Sequence, residues 1–355
     1  MSIADLALPA VQSLPPEAAH RATIAGLKLG IGLPRINPDK WATPVKLPKS
    51  GLQLYNPVGL AAGFDKNAEV FRQMARFGFG FIECGTVTPQ PQPGNPSPRL
   101  FRLREDEGLI NRLGFNNFGL DFFVRRLQRH DPGGVTPIGA NVGANKASAD
   151  FIADYETGIR AVQDFVDYIT INISSPNTPG LRGLQDKSAL ADLLTRCEAA
   201  RAASARPIPV FLKIAPDLDT KAISDIIASL DETGQWLAGL IISNTTISRP
   251  DSLKSQCKHE AGGLSGAPLM ALSTSILRTF AIELNGKFDL IGCGGVCSGA
   301  DAYAKIRAGA HAIQLYSALT YHGPSLIARI NADLAARLSA DGFNSVSEAV
   351  GADLR

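Results

Sequence analysis

Between residues 47 and 330 the sequence repeats one unit, in which a short apolar run is followed by a polar, glycine-rich loop and then by an amphipathic segment. The runs are almost continuously hydrophobic, which is typical of parallel strands that are buried on both faces. Strands that alternate with helices at this spacing form βαβ units with right-handed crossovers. Eight runs are present, at residues 57–62, 81–86, 137–142, 168–173, 209–214, 239–243, 289–293 and 312–316.

Eight such units predict a closed parallel (β/α)8 TIM barrel. The alternative is an open doubly wound sheet, which would more naturally contain five or six strands. We expect three parts: an N-terminal helical segment of residues 1–46, a barrel of residues 47–340, and a C-terminal tail of residues 341–355. The predicted barrel helices cover residues 68–77, 118–129, 155–165, 222–230, 270–284 and 301–308.

The segment ahead of the barrel has the pattern of a surface helix. Pro16 followed by Glu17 is typical of a helix start, because proline suits the first turn and an acid suits the N-terminus. From residue 18 to residue 33, apolar residues recur on one face. This face fits either a helix packed on the barrel or a helix lying on lipid, and the pattern leaves both open. A proline-rich connector at residues 34–48 leads to the barrel.

Composition excludes several classes of protein. The 35 basic and 33 acidic residues give a net charge of +2, which is too balanced for a nucleic-acid binder. The N-terminus lacks the features of a secretory signal, and no uninterrupted apolar run is long enough to span a bilayer. Five scattered cysteines favour a reduced cytosolic setting. Cys293 and Cys297 lack a second ligand pair, so we expect no metal site, and we expect no obligate protein partner.

The loops after the strands are where a β/α barrel builds its active site. Gly294 and Gly295 follow the seventh run, and Ser317 follows the eighth. This arrangement matches the barrel phosphate site, in which backbone N–H groups and a helix N-terminus bind the phosphate. Gly266, further upstream, adds to the pattern. The sequence therefore predicts a phosphorylated ligand, and the alternative is a tight strand–helix turn without a ligand.

Two lysines, Lys66 and Lys213, fall at strand ends, where an interior lysine is costly unless it is paired or used. Each could neutralise an anionic ligand, form a Schiff base, or pair with Asp65 or Asp217. Four asparagines, Asn111, Asn172, Asn177 and Asn244, add amide groups from three different loops. Their amides offer donors and acceptors, which suits the edge of a pyrimidine dione. The pattern favours a planar anionic ligand over metal-dependent hydrolysis.

These loops resemble the signatures of the dihydroorotate dehydrogenases, in order and over essentially the whole barrel. The stretches concerned are NPVGLAAGFDK (56–66), GTVTPQPQPGN (85–95), NRLGFNN (111–117), NISSPNTPGLR (172–182), KIAPD (213–217) and GGLSG (262–266). The resemblance implies FMN as the prosthetic group. It also implies the oxidation of dihydroorotate to orotate in de novo pyrimidine (UMP) biosynthesis.

Carried over residue by residue, the resemblance implies that Ser175 removes a proton from C5 of the substrate while C6 gives hydride to N5 of FMN. Thr178 is the implied relay partner, because a serine alone is a poor base. Lys213 would offset the negative charge of reduced flavin. The implied substrate contacts are Lys66, Asn111, Arg112, Leu113, Gly114, Phe115, Asn172, Asn177, Asn244 and Thr245. The implied cofactor contacts are Ala62, Gly63, Phe64, Asp65, Lys66, Thr86, Asn141, Asn172, Lys213, Ser243, Gly266, Gly295, Tyr316 and Ser317.

Serine at position 175 and the extension over residues 1–46 resemble the quinone-dependent class 2 enzymes, since the soluble relatives carry a cysteine base and lack the extension. The resemblance implies a helical pair that opens a tunnel from the bilayer to FMN, with His20, Arg102 and Tyr316 as quinone contacts. We therefore expect a peripheral membrane protein, on the cytoplasmic face of the inner membrane if the source is bacterial. Two other hypotheses compete: a phosphate-binding lyase or aldolase with Lys213 as its Schiff base, and a non-catalytic lipid-surface protein.

Overall fold

The computed structural model describes residues 3–34 and 43–355, with only the backbone of the first two of these residues. The described part of the chain contains thirteen strands. They are β1 (Val45–Lys46), β2 (Gln53–Leu54), β3 (Val58–Leu60), β4 (Phe81–Val87), β5 (Leu100–Leu103), β6 (Gly108–Asn111), β7 (Ile138–Val142), β8 (Tyr168–Asn172), β9 (Val210–Ile214), β10 (Gly239–Ile242), β11 (Gly263–Gly266), β12 (Asp289–Cys293) and β13 (Ala312–Leu315).

Eight of these strands, β3, β4, β7, β8, β9, β10, β12 and β13, form a closed parallel barrel. Strand β13 pairs with β3 and completes the circle, so the barrel prediction is confirmed and the open-sheet alternative is wrong. Every residue of these strands is buried. Burial on both faces accounts for the almost continuous apolar runs of the sequence.

The helices are α1 (Ile3–Ser13), α2 (Pro16–Lys28), α3 (Phe71–Ala75), α4 (Leu120–Leu127), α5 (Phe151–Val162), α6 (Lys187–Ala202), α7 (Thr220–Thr233), α8 (Met270–Leu284), α9 (Gly299–Arg307), α10 (Leu319–His322), α11 (Leu326–Ala340) and α12 (Val346–Ala349). Each of the six predicted barrel helices corresponds to one of them, whereas α6 and α11 were missed. Residues 267–284 are long and apolar enough to cross a membrane by length and composition alone. Within the fold, however, α8 buries Ile276, Leu277 and Phe280.

The N-terminal segment forms a pair of helices, α1 and α2. Helix α2 begins at Pro16 with Glu17 in its first turn, as predicted, but it ends at Lys28 and so is shorter than the apolar pattern suggested. Glu17 forms a 2.6 Å ion pair with Arg99 of the barrel, and Lys28 pairs with Glu69. These ion pairs tie α2 to the barrel. The predicted connector at residues 34–48 falls partly on residues 35–42, which lie outside the described residues.

A small antiparallel sheet, which the sequence reasoning did not predict, stands beside the barrel. Strand β6 pairs with β5 on one side and with β11 on the other. Its own apolar core consists of Leu103, Ile110, Leu253 and Leu264. Because β6 ends at Asn111, this sheet carries one of the predicted site asparagines.

Near the amino ends of the strands, the barrel interior is filled by three buried aromatic rings, those of Phe81, Tyr168 and Phe211. Tyr168 contacts the other two edge to face, with ring centroids 6.3 and 5.7 Å apart. Each ring lies against a glycine at the paired position of the adjacent strand. The three glycines are Gly59, Gly139 and Gly239. Glycine is required at these positions because the ring occupies the space of a side chain.

We expect Gly139→Ala to destabilise the protein by about 1–3 kcal/mol through overpacking. A Cβ atom at this position would lie 2.1 Å from Cζ of Tyr168, so the ring would have to move within a filled interior. The free energy of unfolding measured in guanidinium is the test. The matched control is Gly134→Ala in an exposed turn, where the nearest atom to the new Cβ, the Asp131 carbonyl oxygen, is 3.5 Å away. Equal stabilities of the two variants would contradict this packing.

Candidate active site

A cavity of about 990 Å³ opens at the carboxyl ends of the barrel strands. Its position agrees with the location of active sites in β/α barrels. Most of the predicted substrate and cofactor residues line it together. They are Ala62, Gly63, Thr86, Asn111, Leu113, Gly114, Phe115, Asn172, Ser175, Asn177, Lys213, Ser243, Asn244, Thr245, Gly266, Gly295, Tyr316 and Ser317.

Arg112 and Asp65, both predicted as ligand contacts, have other partners. Arg112 forms a 2.7 Å ion pair with Glu260, and its side chain does not line the cavity. The buried carboxylate of Asp65 accepts hydrogen bonds from the backbone N–H groups of Glu69 and Val70, both at 2.7 Å. Burial raises the pKa of Asp65 to about 6. Asp65 therefore shapes its own loop.

Lys66 lies in a neighbouring groove. This groove is also lined by Glu17 and Arg99, and Leu113 lines both the groove and the cavity. Burial lowers the pKa of Lys66 to about 8, and the nearby charge of Arg99 acts in the same direction. Lys213 and Ser175 thus share the cavity, whereas Lys66 lies beside it.

The floor of the cavity is built on a buried carboxylate, that of Glu83 on β4. It accepts hydrogen bonds from Asn141 Nδ2 at 2.7 Å, Thr170 Oγ1 at 3.0 Å and Gln314 Nε2 at 2.8 Å. The ammonium of Lys213 lies 4.0 Å from the same carboxylate. Lys213 therefore pairs with Glu83, and not with Asp217 as the sequence had left open. Asn141, a predicted cofactor contact, lies just below the cavity.

Hydrogen bonds continue from this floor to the rim. Thr86 Oγ1 donates to Asn141 Oδ1 at 2.6 Å, and Asn172 Nδ2 donates to Thr86 Oγ1 at 3.0 Å. Asn172 Oδ1 accepts from Ser174 Oγ at 2.8 Å, and Asn244 Nδ2 donates to Ser174 Oγ at 2.9 Å. The network links the ends of four strands, so it fixes the orientation of the amides. Such a fully connected buried network rigidifies a site.

Ser175 lies just after β8 and is nearly buried. Its Oγ accepts a hydrogen bond from the backbone N–H of Asn177 at 3.3 Å. Nearby in sequence, the buried hydroxyl of Thr178 has no hydrogen-bond partner among the described residues. A buried hydroxyl without a partner costs free energy. This loop therefore has hydrogen-bonding capacity that the protein itself does not use.

One arginine, to which the sequence reasoning gave no role, holds two of the rim loops. Arg182 donates to the carbonyl oxygens of Ser174 and Thr245, both at 3.1 Å. It also forms a 2.9 Å ion pair with Asp217. The loops that follow β8 and β10 are therefore held at a fixed separation across the cavity.

The opposite end of the cavity has the features of an anion site. Gly294 and Gly295 have positive φ values of 105° and 84°. A Cβ atom on Gly295 would lie 2.3 Å from Cα of Met270, so this turn packs directly on the first turn of α8. The hydroxyls of Ser265 and Ser317 are 2.8 Å apart at the same end. Backbone N–H groups, hydroxyls and a helix N-terminus are the groups that bind phosphate.

A second cavity, of about 1340 Å³, lies between the N-terminal helices and the barrel. The three predicted quinone contacts, His20, Arg102 and Tyr316, all line it, together with Phe64, which had been predicted as a cofactor contact. The Phe64 ring lies 5.5 Å from that of His20 and 5.6 Å from that of Tyr316. Tyr316 also lines the first cavity. Burial lowers the pKa of His20 to about 3, so its imidazole is neutral at physiological pH.

Among the described residues, one group of side chains brings possible metal-ligand atoms within 4.8 Å of one another: Glu107, Cys297 and His322. The group does not line the first cavity. His322 Nε2 lies 2.9 Å from a carboxylate oxygen of Glu107, so these two already form a pair. Burial raises the pKa of the Cys297 thiol to about 12, which disfavours the thiolate that binds metals.

Known proteins resemble this chain over nearly its whole length. Residues 45–338 match the family described as dihydroorotate dehydrogenase. A dihydroorotate dehydrogenase (quinone) from Xanthobacter autotrophicus is 51% identical, covering 100% of both chains. The one from Parvibaculum lavamentivorans is 52% identical, covering 100% of this chain and 99% of its own. Two crystal structures of DHODH from Eimeria tenella also superpose on this chain. The complex with ferulenol has a TM-score of 0.89 and a sequence identity of 40%, and 96% of each chain is covered. The ligand-free form has a TM-score of 0.90 and a sequence identity of 41%, covering 96% of this chain and 99% of that chain.

Proposed function

This chain belongs to the dihydroorotate dehydrogenase family and is an oxidoreductase of its quinone-dependent class; from that premise we propose that it holds FMN, uses Ser175 as its base and serves de novo pyrimidine (UMP) biosynthesis. The observation that carries the proposal is a single cavity with two different ends. Ser175 and the four asparagine amides line one end, and the glycine turn of a phosphate site lines the other.

The residues of the cavity fit FMN. Gly266, Gly295 and Ser317 would hold its phosphate, and Lys213 with Thr86 would lie against its polar ring edge. When bound, FMN supplies the two-electron acceptor that takes hydride from C6 of dihydroorotate. The position of Lys213 beside the Glu83 carboxylate supports a role as a fixed cation, and speaks against the Schiff-base lysine of an aldolase.

The substrate would bind against the asparagine amides at the other end. Asn177 Nδ2 lies 3.4 Å from Asn111 Oδ1, so amide donors and acceptors from two loops already face one another. They suit the alternating N–H and C=O groups of the pyrimidine ring. Lys66 lies in the adjoining groove. For it to bind the substrate carboxylate, its loop would have to turn toward the cavity when the ligand binds.

Ser175 would remove the proton from C5 of the substrate. Serine is a poor base, so this step needs a substrate carbon made acidic by its neighbouring carbonyl and a path for the proton. The unpartnered hydroxyl of Thr178 supports a relay through this loop. Because the Ser175 side chain is almost enclosed, bulk water is kept away from the proton during transfer.

We expect the wild-type protein to be yellow, to bleach when dihydroorotate is added anaerobically, and to be reoxidised by a quinone but not by fumarate. In Ser175→Ala, flavin reduction should slow by about 10²- to 10⁴-fold, since the base is lost, while flavin and orotate remain bound. Stopped-flow absorbance measures reduction. The control is Ser188→Ala on the exposed start of α6. Unchanged reduction in Ser175→Ala would remove Ser175 from the mechanism, and a colourless wild type would overturn the whole proposal.

The second cavity would receive the quinone. Most of its lining residues are apolar, and its polar ones include His20, Arg102, Gln12 and two threonines, which suits a neutral ring with a hydrocarbon tail. Tyr316 lines both cavities, so a quinone here would lie one side chain away from the flavin ring. Because the imidazole of His20 is neutral, an uncharged ligand that packs against it does not have to displace water from a charged group.

We expect Gly26→Leu to raise the KM for quinone roughly tenfold or more, because the new side chain would fill part of the second cavity. Gly26 lines this cavity, and a Cβ atom there meets no atom within 4 Å, so the helix can accept the substitution. The rate at which dihydroorotate reduces the flavin should not change. Gly26→Ala is the matched control and should behave as wild type. Equal loss in both half-reactions would show that the helix only supports the fold.

We also propose that α1 and α2 lie on a lipid surface, as a peripheral membrane protein on the cytoplasmic face if the source is bacterial. Four of the eight exposed large apolar side chains in the described part of the chain belong to the N-terminal segment. They are Leu6, Leu14, Leu29 and Ile31. Such a concentration of exposed apolar groups marks an interaction surface.

Leu29→Glu should reduce binding to phosphatidylglycerol-containing vesicles by roughly tenfold or more, because a Leu that is 77% exposed would be replaced by a charge at the lipid boundary. Vesicle co-sedimentation measures the binding. The matched control is Val135→Glu, at a similarly exposed site (73%) near the amino ends of the strands, which should bind as wild type. Equal binding of the two variants would contradict a lipid-facing role for this segment.

A further inference from the structure

Lys305 on α9 is a lysine with no exposed surface. Its ammonium donates to the hydroxyls of Ser273 at 2.8 Å and Thr274 at 3.0 Å. Among residues 3–34 and 43–355, no carboxylate lies within 4.0 Å of it. An ammonium buried without an anion in contact is costly, and the charge of Asp301 acts on it only from further away. The fold alone does not explain why a charged group occupies this position.

The position of Lys305 is directly behind the glycine turn of the anion site. The Ser273 hydroxyl, which accepts from Lys305, donates to the carbonyl oxygen of Gly294 at 2.9 Å. A Cβ atom on Gly292 would lie 3.0 Å from Cδ of Lys305, so the lysine stem runs along the end of β12. One hydroxyl therefore separates the ammonium from the turn that would hold the phosphate.

We propose that Lys305 is a positioning residue for the phosphate end of the cavity. In this role it acts from behind the turn as a buried positive charge that favours a dianionic phosphate over an uncharged group. The inference rests on the proposed function, because it takes FMN to be the ligand. It adds a residue that lines no part of the cavity, and so would not touch the cofactor.

The physical basis is charge in a medium of low polarity. An ammonium and a phosphate separated by a few buried groups attract each other far more strongly than they would in water. The α8 N-terminus, which packs on Gly295, acts in the same direction. Burial lowers the pKa of Lys305 to about 8. A phosphate bound beyond the turn would act in the opposite direction and stabilise the ammonium.

The experiment compares FMN with riboflavin, which has the same ring system without the phosphate. Purified holoenzyme is incubated with increasing riboflavin, and the FMN released at equilibrium is quantified after filtration. The midpoint gives the preference for FMN over riboflavin. In Lys305→Met this preference should fall roughly ten- to hundredfold, since only the phosphate-bearing ligand loses an attraction. Lys287→Met removes an exposed lysine that pairs with Asp231, and it should keep the wild-type preference.

Lys305→Gln serves as the second variant, because it removes the charge but keeps a donor for the two hydroxyls. It should show the same loss of preference even if Lys305→Met does not fold. A preference that stays at the wild-type value in the folded variant, or a loss shared equally by FMN and riboflavin, would show that Lys305 only joins α8 to α9. A wild-type holoenzyme without FMN would instead overturn the proposed function itself.

Discussion

The carboxylate of Glu83 is the one interior charge around which the site is organised. It lies in the centre of the barrel, where hydrogen bonds from three strands and the ammonium of Lys213 converge on it. Removing a partner from such an enclosed group leaves the remaining charge uncompensated. Asn141 is oriented by Glu83 and in turn orients Thr86 and Asn172. The orientation of the polar groups that line the cavity is therefore fixed by residues in the barrel core beneath them.

The two cavities differ in chemistry although they share a wall. The first combines apolar side chains with amides, hydroxyls and Lys213, whereas the second is lined mostly by apolar side chains. Tyr316 and Phe64, whose rings meet edge to face, stand between the barrel and the N-terminal helices. A polar substrate and a lipid-soluble acceptor could thus each have a compartment suited to it. This separation suits the proposed function, in which one cofactor would react first with the substrate and then with the quinone.

Much of the fold could be predicted from the sequence, because the eight apolar runs and the glycine-rich loops follow directly from burial and strand-end geometry. The side chains of Arg112 and Lys66 could not be placed, since their directions depend on Glu260 and on the N-terminal helix. Two features that were not predicted, helix α6 and the buried carboxylate of Glu83, are nevertheless visible in the sequence. The apolar spacing of α6 is helical, with leucines at 190, 193 and 194 buried, and Glu83 is the only charge within its apolar run. The side sheet gave no comparable signal, because β5 and β6 are short strands of a hairpin and β11, the third strand, comes from a distant segment of the chain.

The aromatic rings that pack on glycines bear on the side from which a ligand can reach the first cavity. They fill the barrel interior near the amino ends of the strands, and the first cavity lies at the carboxyl ends. A ligand of the first cavity would therefore approach from the face at the carboxyl ends of the strands, which the N-terminal helices partly cover. In the proposed function, the N-terminal helices that cover this face would therefore separate a substrate arriving from water from a quinone arriving from the membrane.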